Sequence, residues 1–188
     1  CALPISGMDY VSYATAVYEI ARVCASTAIT MAAHTSLGMT PIYLVGSEKQ
    51  KRKYRPPLAS GKMIGAFGLT EASAGSDAAA TKTTSVKKGD EWIINGQKVW
   101  TSGGRNADYA LLITRTDLDQ PKHRGISFFF FPMKQPGVEV RPLRQATGDA
   151  RFNEVFITDA RVPAANMLGE LNGGWGVLTS ALAYERAA

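Results

Sequence analysis

The stretch Phe67-Gly68-Leu69-Thr70-Glu71-Ala72-Ser73-Ala74-Gly75-Ser76-Asp77 runs from an apolar, strand-like start into small residues and hydroxyls. Small side chains let a flat or anionic ligand approach the main chain. Thr70 and Ser76 supply hydroxyls, and free N–H groups can point at ring edges or phosphate oxygens. Taken alone, such a run is an ordinary glycine-containing loop. A second run, Asn95-Gly96-Gln97-Lys98-Val99-Trp100-Thr101-Ser102-Gly103-Gly104, follows about one hairpin later and adds an indole beside two hydroxyls. Further on, Glu185 follows Leu182 by three residues and Ala181 by four, which places it on the stripe of Trp175 and Leu178. A carboxylate on an apolar stripe invites a functional role. The ordinary alternative is a solvated glutamate on a helix whose buried face is that of Val177, Ala181 and Tyr184.

These residues need elements to hold them. From Tyr10 the apolar positions recur at helical spacing, with Asp9 as N-cap. A second apolar segment, 28–37, should stop at Gly38. Ser47 and Gln50 read as a capping box opening a short basic helix that Pro56-Pro57 ends. After Gly61 the period changes to short β-branched and aromatic runs, predicting strands near 64–69, 81–86, 110–115, 125–131, 138–143 and 153–158. Asn95-Gly96, between Trp92-Ile93-Ile94 and Gln97-Lys98-Val99-Trp100, has the chemistry of a two-residue type I′ hairpin turn. Beyond Gly169 the helical period returns and runs to Ala188, so the helix is expected to continue into further sequence.

The expected fold is therefore α+β: a helical N-terminal part (1–63), a central antiparallel β-sandwich or barrel domain (64–169), and the first helix of a C-terminal helical bundle (170–188). Residues 1–6 carry no capping or periodic logic and read as foreign, resembling a translated adapter.

Four spaced motifs together resemble the acyl-CoA dehydrogenase family. The family's Thr-Glu-Pro-x-Ala-Gly-Ser-Asp and Asn-Gly-x-Lys-x-Trp-Ile-Thr-Asn-Gly motifs match the two runs above at the same separation. The step from Val162 to Glu170 and the Gly174-Trp175 helix start extend the match over nearly the whole chain. Ala72 replaces the usual proline, Ser73 the common glycine, and Thr101-Ser102 the Ile-Thr pair; none of these changes removes a needed polar group. The resemblance implies FAD as cofactor, with Phe67, Leu69, Thr70, Gly75 and Ser76 lining the flavin from one stretch. Trp100, Thr101 and Ser102 would line it from the other. Thr70 would bond the pyrimidine edge and Trp100 would pack on the ring. The Ser102 hydroxyl and amide would meet N5, and Ser76 would lie near both phosphate and acyl-CoA. Glu71 would be a structural carboxylate. The family draws its catalytic base from one of two positions. One of them aligns with Glu185 in Leu182-Ala183-Tyr184-Glu185-Arg186, and Arg186 would reach the nucleotide part of CoA. The implied activity is oxidation of an acyl-CoA to the trans-2-enoyl-CoA, with an electron-transfer flavoprotein as acceptor and a homotetramer as the complete assembly. A flavin oxidase or monooxygenase on the same scaffold and a non-catalytic acyl-CoA-binding relative are the alternatives.

Composition narrows the rest. The 188 residues are 45% hydrophobic and 20% charged, an ordinary globular balance, and no apolar run approaches the roughly 20 residues of a membrane span. Phe128 to Phe131 reads as a buried strand. Two cysteines without a CxxC pair and two histidines make no zinc or haem set and suit a reducing, cytoplasmic setting. The formal charge of +5 is concentrated in Lys49, Lys51, Arg52, Lys53 and Arg55. Without interleaved aromatics these read as a solvated helix face and not a nucleic-acid surface.

Overall fold

A computed structural model describes residues 7–186; residues 1–6, with the expectation of foreign origin, lie outside them. The N-terminal part is helical: α1 (Tyr10–Val23), α2 (Ala25–Ala33), α3 (Thr40–Val45) and α4 (Glu48–Ala59). Asp9 caps α1, its carboxylate accepting from Ser12 N–H at 2.8 Å. Ser47 and Gln50 form the expected capping box on α4. Gly38 does not stop a helix, because His34–Met39 form a π-helical turn that joins α2 to α3. Nor do Pro56 and Pro57 end α4. They lie inside it, and the last turn closes by Ser60 N–H donating to the Pro56 carbonyl at 3.0 Å.

Only one stripe of α4 is buried, Gln50, Tyr54 and Leu58, which leaves Lys49, Arg52 and Lys53 in solvent. That stripe fastens the helix to the β-part. The Gln50 amide donates to the carbonyls of Ala165 and Met167 at 2.8 Å each. Tyr54 stacks on Phe130 at 3.8 Å and donates its hydroxyl to Asn166.

The strands are β1 (Gly65–Gly68), β2 (Thr84–Lys88), β3 (Glu91–Lys98), β4 (Tyr109–Arg115), β5 (Ile126–Pro132), β6 (Val138–Leu143), β7 (Phe152–Pro163) and β8 (Met167–Leu168). Their order is β6-β7-β3-β2-β4-β5-β8, with β1 added beside β4. Most pairs are antiparallel, but β1 and β2 both run parallel to β4, so the sheet is mixed. The α+β class stands as expected.

The β2–β3 hairpin turns at Gly89-Asp90, not at Asn95-Gly96. The Asn-Gly pair sits inside β3, where the register against β7 shifts between Ile94 and Gly96. Its polar chemistry is spent across the sheet: Asn95 donates to Asp159 at 3.0 Å and accepts from the Asp159 N–H at 2.8 Å.

β4 and β5 are buried on both faces, which explains the unbroken Phe128–Phe131 run. Phe128 and Phe130 face a core shared with Met39, Ile42, Leu58 and Leu178 from the helices. Phe129 and Phe131 face a second core with Trp92, Ile94, Val155 and Val162, so β3 and β7 fold back over β4 and β5 as the other half of a sandwich. The final helix, α5 (Gly174–Arg186), buries Val177, Leu178 and Ala181 on the helical side. Among the described residues no helix is long and apolar enough to cross a membrane.

Candidate functional site

The two ligand-friendly stretches leave β1 and β3 at neighbouring points and are stitched together. Val99 N–H donates to the Thr70 carbonyl at 2.8 Å. Beneath that bond lies Lys98, fully buried. Its ammonium has three hydrogens and three acceptors: the Leu69 carbonyl at 3.0 Å, Glu71 Oε1 at 2.8 Å and Thr81 Oγ1 at 2.9 Å. Glu71 is equally committed, accepting also from the Thr81 hydroxyl and from the N–H groups of Lys82 (2.7 Å) and Thr83 (3.0 Å).

Burial by itself would raise the Glu71 carboxyl. The Lys98 charge and hydrogen bond, with the Thr81 hydroxyl and Lys82 N–H, outweigh it and hold the group at about 2. Burial lowers Lys98 to about 8, and Glu71 keeps it from falling further. Glu71 is thus a structural carboxylate, unsuited to act as a base. Sequence reasoning assigned no role to Lys98; the signal available was a lysine at a core-facing position at the end of a strand.

Around this anchor the expected residues are laid out unequally. Phe67 and Leu69 are half-buried and pack against the core under α4 and α5, with the Phe67 ring 6.0 Å from Phe128. That strand therefore offers a ligand its main chain more than its side chains. Thr70 is half-buried. A tight turn brings Glu71 and Ala74 into mutual main-chain hydrogen bonds of 3.2 and 3.1 Å. It delivers Gly75 and Ser76 to solvent, with nothing within 4 Å of where a Gly75 Cβ would stand.

Across from it, Trp100 has φ of 61°, a left-handed conformation rare for a bulky residue, and the residue is 56% exposed. Its ring stands edge-on to Phe152 at 5.7 Å. Thr101 is buried and its hydroxyl has no partner among the described residues, so the main chain of Thr101, not its side chain, is what this turn presents. Ser102 is exposed and opens onto a cleft of about 650 Å³ that also involves Arg105, Asn106 and Arg151 to Asn153. The polar loop before β7 holds an ion pair, Arg151 with Asp149 at 3.3 Å.

Ser76 leads into Asp77, which pairs with Lys122 at 2.6 Å. The neighbouring His123 stands edge-on to Trp175 of α5 at 4.6 Å. Arg115 donates to the carbonyls of Ala79 and Lys122, tying the same loops together. Glu185 and Arg186 lie exposed at the last turn of α5, unpaired among the described residues. Glu185 continues the stripe of Leu178 and Ala181 one turn beyond the packing that covers them, and the adjacent Tyr184 stacks on Tyr10 at 6.2 Å. His34 accepts the Gly65 N–H at 3.1 Å where β1 begins; burial lowers its pKa.

The donor set suits a flat, polar-edged, anionic group: an exposed indole, exposed Ser76 and Ser102, an open Gly75 and a stitched pair of main-chain turns. Among the described residues no cluster of side chains could hold a metal ion.

Comparison with known proteins places this geometry. Residues 5–62 match the acyl-CoA dehydrogenase N-terminal domain and residues 66–160 the acyl-CoA dehydrogenase middle domain. A probable acyl-CoA dehydrogenase of Bacillus subtilis is 42% identical over 175 residues, covering 90% of this chain and 45% of the relative. The solved structure of butyryl-CoA dehydrogenase from Megasphaera elsdenii is 36% identical with a TM-score of 0.88, covering 96% of this chain and 48% of that one. A prolyl acyl carrier protein oxidase is 32% identical with a TM-score of 0.79, over 84% of this chain and 42% of its own. The chain spans a little under half the length of the curated relatives it matches.

Proposed function

The chain belongs to the acyl-CoA dehydrogenase family, and on that premise we propose that the complete protein oxidises a saturated acyl-CoA to its trans-2-enoyl-CoA with FAD as cofactor. The observation that supports the reading is that Thr70–Ser76 and Trp100–Ser102 leave neighbouring points of the β-structure, joined by the Val99–Thr70 hydrogen bond. Thr70 would bond the pyrimidine edge of the flavin, Ser76 would serve phosphate and acyl-CoA, Trp100 would cover the ring, and Ser102 would meet it with hydroxyl and amide. Phe67, Leu69, Gly75 and Thr101 would complete the lining, mainly through their main chain.

The α hydrogen beside a thioester is a weak acid and the β hydrogen must leave with its electron pair, so a base and an electron sink have to meet at one carbon–carbon bond. FAD, when bound, supplies the sink. In the proposed reaction the Glu185 carboxylate takes the α proton, and Arg186 holds the nucleotide end of CoA. Excluding water around Glu185 would raise its basicity in place. The rest of the proposed assembly is a homotetramer that passes its electrons to an electron-transfer flavoprotein.

A dye-linked assay of the complete protein across a panel of acyl-CoA chain lengths tests the reading; turnover with FAD bound is the expected result, and ligand binding without turnover on every member would replace it with an acyl-CoA-binding role. The likeness to an oxidase favours one second reading, in which reduced flavin meets oxygen directly. Rapid reoxidation of the substrate-reduced protein on mixing with air would select it.

A further inference from the structure

Resting on that flavoenzyme reading, we propose that Asn153 is a positioning residue for the Trp100–Ser102 turn, gripping the Thr101 main chain from both sides. Asn153 is the second residue of β7 and is 1% exposed. Its main-chain carbonyl accepts the Thr101 N–H at 3.0 Å, and its side-chain amide donates to the Thr101 carbonyl at 2.9 Å. β3 ends at Lys98, so the ladder that would otherwise hold this segment has already stopped. The other main-chain ties of the turn to its surroundings are Val99 to Thr70 on one side and a longer one, Gly103 N–H to the Arg151 carbonyl at 3.3 Å, on the other.

Between those ties Trp100 is held at φ 61°. A left-handed conformation is unfavourable for a bulky residue. A turn strained in that way relaxes unless its neighbours over-determine it, and Asn153 fixes the very next peptide.

The side chain carries a second sign of this role. Donation to the Thr101 carbonyl sets which way the amide faces, and Asn153 Oδ1 is left buried without a partner among the described residues. A buried acceptor without a donor is destabilising, so at an inward-facing strand position an apolar residue of the same size would fold as well or better. The asparagine at this place is explained by the peptide it holds and not by burial.

The test uses the complete protein and two variants, with FAD affinity followed by flavin fluorescence titration and stability by thermal melting of the flavin-free form. Asn153→Leu keeps the volume and removes the donor. Its melting temperature should match or exceed that of the parent while FAD binds about tenfold more weakly. Asn153→Asp keeps the shape but gains a titrating group. Burial at this position raises a carboxyl above its ordinary value of about 3.9; as a carboxylate it repels the Thr101 carbonyl, and as a carboxylic acid it donates to it, so its FAD affinity should recover towards the parent as pH falls from about 7.5 to about 4.5. The affinity of the leucine variant should stay flat over the same range. A leucine variant that binds FAD like the parent overturns the proposal. So does an aspartate variant without pH dependence, which decides the matter if the leucine variant does not fold. A parent protein that binds no FAD at all overturns the flavoenzyme reading itself, and this proposal with it.

Discussion

Glu71 and Lys98 are a buried pair whose partners are all counted, and such pairs respond asymmetrically to substitution. Removing one member strands a charge in the core, whereas removing both leaves hydrogen-bond partners short but no net charge. Lys98→Met is therefore expected to cost about 3–5 kcal/mol in urea-unfolding free energy, and adding Glu71→Gln to it should recover part of that loss. A single variant no less stable than the parent would remove the pair as an anchor.

The same pair sets an acid limit. Glu71 titrates at about 2 when folded, against an ordinary 4.5. Its contribution is fully present above pH 4.5 and is lost as pH falls towards 2, a loss of about 3 kcal/mol by linkage. Lys98 acts in the same sense, but in a window at higher pH. Its pKa is depressed to about 8, so the unfolded chain binds the extra proton between pH 8 and 10.5, and this group favours the fold as pH rises through that window. Urea midpoints measured from pH 6 to pH 3 should fall more steeply for the parent than for the double variant. At the same scale, Glu185→Gln in the complete protein should slow substrate-driven flavin reduction by at least about a hundredfold if it is the base. Unchanged reduction would put the base outside this stretch.

At the scale of elements, β3 shows which local signals survive packing. Gly89 and Gly96 both have positive φ, 59° and 153°, but their surroundings differ. A Cβ on Gly89 meets nothing within 4 Å, whereas on Gly96 it would stand 2.5 Å from Thr83 Oγ1 and 2.6 Å from Thr83 Cα. Gly89→Ala should cost about 1 kcal/mol, the price of a left-handed alanine, and Gly96→Ala at least about 2 kcal/mol more, since overpacking forces main chain apart. Equal losses in thermal melts would mean that the close approach to Thr83 does not constrain β3.

This is also why the hairpin was misplaced from sequence. Asn95-Gly96 has turn chemistry, but Asp159, 64 residues away, takes up the asparagine side chain, and local pattern carries no record of such a partner. Pro56-Pro57 and Gly38 misled for a related reason. The α4 stripe through Leu58 and the core contacts of Met39 keep those segments helical past their breakers. Where the signal was self-contained, as in the Asp9 cap, the Ser47–Gln50 box and the Phe128–Phe131 run, sequence and structure agree. The proposed site divides the same way. Residue type and spacing single out Thr70–Ser76 and Trp100–Ser102 as stretches open to a ligand, while Lys98 and Asn153 act through partners that only the folded chain reveals.

For the molecule as a whole, the decisive feature is that the candidate site has one wall. Gly75, Ser76, Trp100 and Ser102 are all exposed, and so are Glu185 and Arg186 at the far end of α5. Small-molecule sites generally bury about 70–90% of their ligand, and an exposed indole with two hydroxyls cannot do so from one side. Electrostatics does not close the gap. The formal charge of +5 is drawn largely from α4, whose Lys49, Arg52 and Lys53 face solvent, and such charges steer an anionic ligand more than they hold it. These 188 residues expressed alone should therefore bind FAD at least about a hundredfold more weakly than the complete protein, a difference of about 3 kcal/mol, and should show no acyl-CoA turnover. Fluorescence titration of both proteins with FAD under the same buffer measures this directly. Equal affinities would mean that the β-part and its helices already enclose the flavin, and the exposed faces of Trp100 and Ser102 would then need a different occupant.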